Sequence, residues 1–86
     1  MLLLLATLAH AADLSRRVSL DYRDADVHAV LRHLATVGGF DVVIDASVQA
    51  TVTIQVKDVR LDDALAVLLL AKGLRYELVG DVLTVR

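Results

Sequence analysis

Val18-Ser19-Leu20-Asp21-Tyr22-Arg23-Asp24 is echoed 34 positions later by Val52-Thr53-Ile54-Gln55-Val56-Lys57-Asp58. In both stretches apolar and polar residues alternate, and the run ends on an acid. That alternation is the period of a half-buried strand. The same offset carries Leu31 and Leu34 onto Leu65 and Leu68, and Gly39 onto Gly73. Each copy reads strand, helix, glycine, strand. Helical and ankyrin-type arrays use repeats of similar length but stack several of them to bury a core. A chain with only two copies points instead to one small domain made of two packed β-α-β units.

Working outward, Asp24 and Asp26 suit the start of a helix and its positive dipole end. Val27, Val30, Leu31, Leu34 and Val37 then recur at helical spacing, within a stripe about 120° wide, as a core-facing helix requires. Gly38-Gly39 ends that helix. Phe40 to Ile44 reads as a short apolar strand and Asp45 to Ala50 as a loop. Val52, Ile54 and Val56 give a strand with one wet face. The second helix is predicted from about Arg60 to Ala71. Asp62 and Asp63 sit in its first turn and Lys72 at its end, matching the dipole at both ends. Ala64 to Ala71 contains no polar residue, so this helix is expected to be covered on two faces. After Gly73, Tyr76 and Leu78 alternate with Arg75 and Glu77. Gly80-Asp81 is a two-residue, glycine-first hairpin loop, and Val82 to Val85 returns as the last strand. The predicted order is β-α-β-β-α-β-β, an α+β fold.

The chain has 86 residues, enough for one domain. Without cysteine it can form neither a disulfide nor a thiolate metal site. Its net charge of −2 is spread over interspersed acids and bases, which is no footprint for nucleic acid. Tyr22, Phe40 and Tyr76 are the only aromatics, too few for a base-stacking surface. Met1 to Ala11 is an apolar run closing on Ala9-His10-Ala11, a small-x-small cleavage pattern. It is far shorter than the roughly 20 residues of a spanning helix. Residues 1–11 are therefore expected to be an export signal, although no Lys or Arg precedes the apolar run. Cleavage after Ala11 would leave Ala12 as the N-terminus. Residues 12–17 are expected to form a flexible lead-in and residues 18–86 the domain.

No catalytic constellation emerges. His28 and His33 are five apart, about 140° around a helix, and cannot chelate one metal as an i, i+4 pair does. The pairs Asp24 with Asp26 and Asp62 with Asp63 are explained by helix starts. Ser15, Ser19 and Ser47 lack a nucleophile elbow, and Gly38-Gly39 follows a helix instead of opening one on a phosphate. No cofactor, metal or small-molecule substrate is expected. What remains is a binding surface, since short strands leave edges that can accept a partner strand. The candidates are Val18, Leu20 and Tyr22 on the first strand, and Arg75, Glu77 and Thr84 on the last hairpin.

The run from Val18 to Val27, followed by Val30-Leu31 and Leu34-Ala35, resembles the opening of the secretin and TonB short N-terminal domain. The stretch Val52 to Val59, followed by Leu61-Asp62-Asp63-Ala64-Leu65 and Ala71-Lys72-Gly73-Leu74, is similar to the type IV pilus secretin version. Where secretin versions often carry Pro-Trp before the second helix, this chain has Arg60-Leu61. The resemblance implies two helices sandwiched between two small sheets. It also implies a non-enzymatic role in the periplasm, at the outer membrane. In secretins such a domain is the first module of a ring for secretion or pilus assembly and contacts inner-membrane assembly proteins. In TonB-dependent transducers it signals to a periplasmic anti-sigma regulator. The expected partners are thus other envelope proteins, with a homo-oligomer if the domain belongs to a longer secretin. No pore-forming segment is read in these residues, so the expectation is a piece of a longer secretin or a free-standing domain using the same surface.

Overall fold

The computed structural model describes residues 12–86; the expected export signal, residues 1–11, lies outside the described residues. The elements are β1 (Arg17–Asp26), α1 (Val27–Gly38), β2 (Asp41–Ile44), β3 (Thr51–Arg60), α2 (Leu61–Ala71), β4 (Tyr76–Val79) and β5 (Val82–Val85). This is the predicted order. β1 and β3 form a two-stranded antiparallel sheet, and β2, β5 and β4 form a second sheet in that spatial order. β2 runs parallel to β5, and β4 antiparallel to it. The helices lie between the sheets. Val18, Leu20 and Val52 come down from the first sheet, and Leu83 and Val85 come up from the second. They meet Val27, Val30, Leu31 and Leu34 of α1 and Leu61, Leu65, Leu68 and Leu69 of α2. Among the described residues no helix is long and apolar enough to cross a membrane.

The duplication visible in the sequence is a symmetry of the first sheet. β1 and β3 pair about Asp21 opposite Gln55, two residues themselves 34 apart. Leu20 faces Val56 and Tyr22 faces Ile54, so exchanging the two copies maps the ladder onto itself. The register shifts once on either side of this centre. The residues at the shifts are Asp24 and Asp58, with φ of 47° and 54°. The Asp24 amide donates to Thr53 Oγ1 at 3.1 Å, and the Asp58 amide to Ser19 Oγ at 3.0 Å. The same bulge is built twice, each held by a hydroxyl from the opposite strand. Asp24 is therefore not the helix start the sequence suggested. It bends the strand, which continues to Asp26, and a short polar side chain tolerates the left-handed backbone there. Asp26 does cap α1, its carboxylate accepting from the His28 amide at 3.1 Å. Asp58→Val is expected to lower stability by about 1–2 kcal/mol, because a β-branched residue resists positive φ. Asp58→Gly should be nearly neutral, and chemical denaturation of the two variants separates these outcomes.

The lead-in, residues 12–17, is tied to the rest of the domain by hydrogen bonds. Asp13 donates to the Gly38 carbonyl at 2.9 Å, and Ala12 donates to Asp81 Oδ1 at 3.3 Å. The reason lies in α2. Its N-cap, Arg60, makes no side-chain capping bond, and the first amides of a helix need acceptors. The Arg16 carbonyl accepts from Leu61 at 2.8 Å and the Leu14 carbonyl from Asp62 at 2.9 Å. In the other unit the Ala50 carbonyl accepts from Val27 at 3.0 Å, and Arg16 and Ala50 are again 34 apart. The repeat thus begins before β1, with Leu14 as the counterpart of buried Val48. In each unit the segment ahead of one strand caps the helix of the other unit.

Both sheets cover α2 as expected, but not all the way round. Leu61, Ala64, Leu65, Leu68 and Leu69 are buried, but Val67 and Leu70 are 61% and 68% exposed, and Ala71 is exposed as well. The buried residues span a stripe about 140° wide. The two sheets cover that stripe; the flank bearing Asp63, Val67 and Leu70 faces solvent. The apolar character of this face does not come from burial in this domain.

Candidate partner-binding edges

The β4–β5 hairpin decides which backbone groups a partner could reach. Gly80, the first loop residue, has φ of 61°, the conformation a glycine-first two-residue loop needs. At the open end, Arg75 donates to the Arg86 carbonyl at 2.7 Å and Arg86 to the Arg75 carbonyl at 2.9 Å. Reciprocal bonds alternate along an antiparallel pair. Glu77 opposite Thr84 and Val79 opposite Val82 are therefore the bonded pairs, whereas Tyr76 and Leu78 face Val85 and Leu83 without exchanging bonds. The amides and carbonyls of Tyr76 and Leu78 point away from β5, along an edge that is free among the described residues.

The side chains of Tyr76 and Leu78 turn inward. With Leu14, Phe40, Asp62, Leu65 and Leu83 they line a small, mostly apolar cavity of about 90 Å³. The Asp62 carboxylate there is held below the usual carboxylate range by Arg60, whose Nε and Nη2 donate to it at 3.1 and 2.8 Å. On the opposite face of the sheet Val43 and Val79 are 54% and 63% exposed, with Val82 beside Val79. The β4 edge therefore combines free backbone groups, a small apolar hole beneath and an apolar outer face.

The predicted residues divide unevenly over this geometry. Arg75 and Glu77 are exposed beside or on the edge strand, but their main-chain groups are engaged with Arg86 and with Thr84 of β5. Thr84 is corrected outright: β5 is the central strand, with β2 and β4 on its two sides, so Thr84 offers no edge. Val18 and Leu20 lie on a strand with one unpaired side, yet their side chains are in the core. Tyr22 is half-buried, and its hydroxyl hydrogen-bonds His33 Nδ1 across to α1. Tyr76 and Leu78, within the same hairpin, are the residues whose main-chain groups face the edge. The signal was present, since a two-residue loop makes its flanking residues a bonded pair and so fixes the phase of the whole strand.

The histidines do not share a site. The His28 ring donates from Nε2 to the Val48 carbonyl at 2.7 Å, while His33 holds Tyr22. His28 borders an open surface depression of about 540 Å³ with Asp26, Gln49 and Thr51. The Asp26 carboxylate is already engaged at the helix start there. At the far end of β2, the Ser47 amide donates to Asp45 Oδ1 at 2.9 Å and holds that carboxyl below its ordinary value. No cluster of three or more metal-ligating side chains occurs among the described residues.

Comparison with known proteins gives concordant results. The family model described as "Secretin and TonB N terminus short domain" matches residues 40–86. The chain is 31% identical over 70 residues, 81% of its length, to the type IV pilus biogenesis and competence protein PilQ of Neisseria meningitidis. It is 35% identical over 69 residues, 80% of its length, to the fimbrial assembly protein PilQ of Pseudomonas aeruginosa. These matches span 9% and 10% of the two relatives. The fold is that of the N0 domain of the type II secretin from enterotoxigenic Escherichia coli, with a TM-score of 0.72 at 20% identity, covering 90% of this chain and 95% of that one.

Proposed function

Because the chain belongs to the secretin and TonB N-terminus short domain family, we propose that it is a non-enzymatic periplasmic module that binds other envelope proteins in secretion or type IV pilus assembly at the outer membrane. The sequence relatives are pilus secretins, which favours this role over signalling to an anti-sigma regulator. The observation that carries the binding role is the free β4 edge. A partner segment in extended conformation would bond the amides and carbonyls of Tyr76 and Leu78 and extend the sheet. Arg75, exposed at the start of that edge, would meet an acidic group on the incoming strand.

Arg75→Glu is expected to leave the thermal transition in place, since Arg75 is exposed and lies outside the core. It should weaken capture of pilus or secretion assembly proteins from a periplasmic extract several-fold, as charge reversal at an interface rim does. Unchanged capture would remove the β4 edge from consideration. Capture of none of these proteins by the unmodified chain, across several salt concentrations, would overturn the interaction role.

A further inference from the structure

The backbone nitrogen of Ala12 lies 3.3 Å from Asp81 Oδ1, on the loop between β4 and β5. In an unprocessed chain that nitrogen is an ordinary amide. We propose that cleavage of the Ala11–Ala12 bond turns it into a charged N-terminal ammonium that pairs with Asp81 and locks the β4–β5 loop to the segment capping α2. The cleavage is hydrolysis by an export-signal endopeptidase. Water adds across the peptide bond, Ala11 leaves as the carboxylate of the released peptide, and Ala12 keeps the nitrogen, which is protonated at neutral pH.

Two independent features meet at this bond. Ala9-His10-Ala11 has small residues at the two positions such a peptidase reads. From Ala12 onward the chain is engaged in tertiary bonds: Asp13 to the Gly38 carbonyl, then the Leu14 and Arg16 carbonyls on the first amides of α2. The predicted cut therefore falls two residues ahead of the α2 cap, beside a carboxylate from the far end of the chain. An ammonium has three donors where the amide has one, and its hydrogen bond to a carboxylate is charge-assisted. The charged groups around it are mostly acids. Asp81 is in contact, Asp13 is the next residue, and the Asp41 amide donates to the Asp81 carbonyl at 2.8 Å. The bases nearby are Arg16, bonded to the Val37 carbonyl at 3.5 Å, and Arg60, close enough to Asp13 to feel its charge.

These acids should raise the folded-state pKa of the ammonium above its ordinary value of about 7.7–8.0. The lock is then fully formed below that value and is lost as pH rises through the folded-state pKa. The test uses the full chain, exported from a Gram-negative host. Intact mass and N-terminal sequencing of the periplasmic product should show Ala12 first; any other start, or an uncleaved chain, overturns the proposal. The Ala12 amine, titrated by NMR, should ionise about half a unit higher than in Asp81→Asn, as an exposed ion pair allows. The unmodified product should also melt about 2 °C above Asp81→Asn at pH 6.5, with no difference at pH 10. An equal difference at both pH values, or an amine indifferent to Asp81, overturns the lock. Selective acetylation of the Ala12 amine provides a second route, removing the charge while leaving Asp81 intact. It should reproduce the loss at pH 6.5, and an unchanged melt there also overturns the lock. None of these measurements involves a partner, so their failure leaves the interaction role untouched.

Discussion

Leu68→Asp is expected to abolish the cooperative thermal transition of the domain. Leu68 is 3% exposed on the buried stripe of α2. Truncating such a leucine alone costs about 2–5 kcal/mol. The aspartate adds the desolvation of a carboxylate on a stripe otherwise made of Leu and Ala side chains. A core of this size supplies a margin of only about 3–5 kcal/mol, so the sum exceeds it. Leu70→Asp, two residues further along the helix at a position 68% exposed, should melt close to the parent. The pair makes the test specific, because both substitutions put the same charge into the same apolar run. A folded Leu68→Asp, or an unfolded Leu70→Asp, would show that the burial of α2 is assigned to the wrong face.

Gly38→Ala carries the next largest effect, and here the sign is diagnostic. In an exposed helix the change from glycine to alanine stabilises by about 1 kcal/mol. Gly38, the last residue of α1, is buried instead. A Cβ built there would stand 2.8 and 2.9 Å from ring carbons of Phe40 and would collide with Cδ2 of Leu61, the first residue of α2. Overpacking of this kind costs about 1–3 kcal/mol, and the helix gain offsets only part of that. A fall in melting temperature of about 5–10 °C is expected. The loss should shrink in a Leu61→Ala background, where the colliding carbon is gone, and a double-mutant cycle measures that coupling. If Gly38→Ala raises the melting temperature, the close approach of α1 and α2 at this point is wrong.

Much of the architecture was legible because it rests on local periodicity. The alternation of Val18, Leu20 and Tyr22, and of Val52, Ile54 and Val56, set the inner face of the first sheet. The glycine positions set the ends of both helices. The bulges were not legible as bulges. Asp24 reads as a helix-start acid and Asp58 only as the acid ending its strand, since the same short polar side chain serves a cap and a left-handed kink. The tie of Leu14 and Arg16 to α2 was also hidden. It uses main-chain carbonyls, which carry no side-chain signature, and it joins segments more than forty residues apart. The candidate edge was half legible. The two-residue loop identifies the hairpin, but nothing local to it reveals the strand order, and Thr84 sits on a strand with a neighbour on each side.

The residues alone determined that this chain makes two β-α-β units, which faces of its strands and of α1 are apolar, and that it resembles a secretin N-terminal domain. Those properties follow from side-chain spacing within a few turns or a few strand residues, where geometry is set by the backbone period. Only the tertiary structure decided which strands lie at the rim, that Val67 and Leu70 face water, and that Ala12 meets Asp81. These depend on how elements distant in sequence pack and pair, and an apolar residue reads the same whether its neighbour is a sheet or solvent.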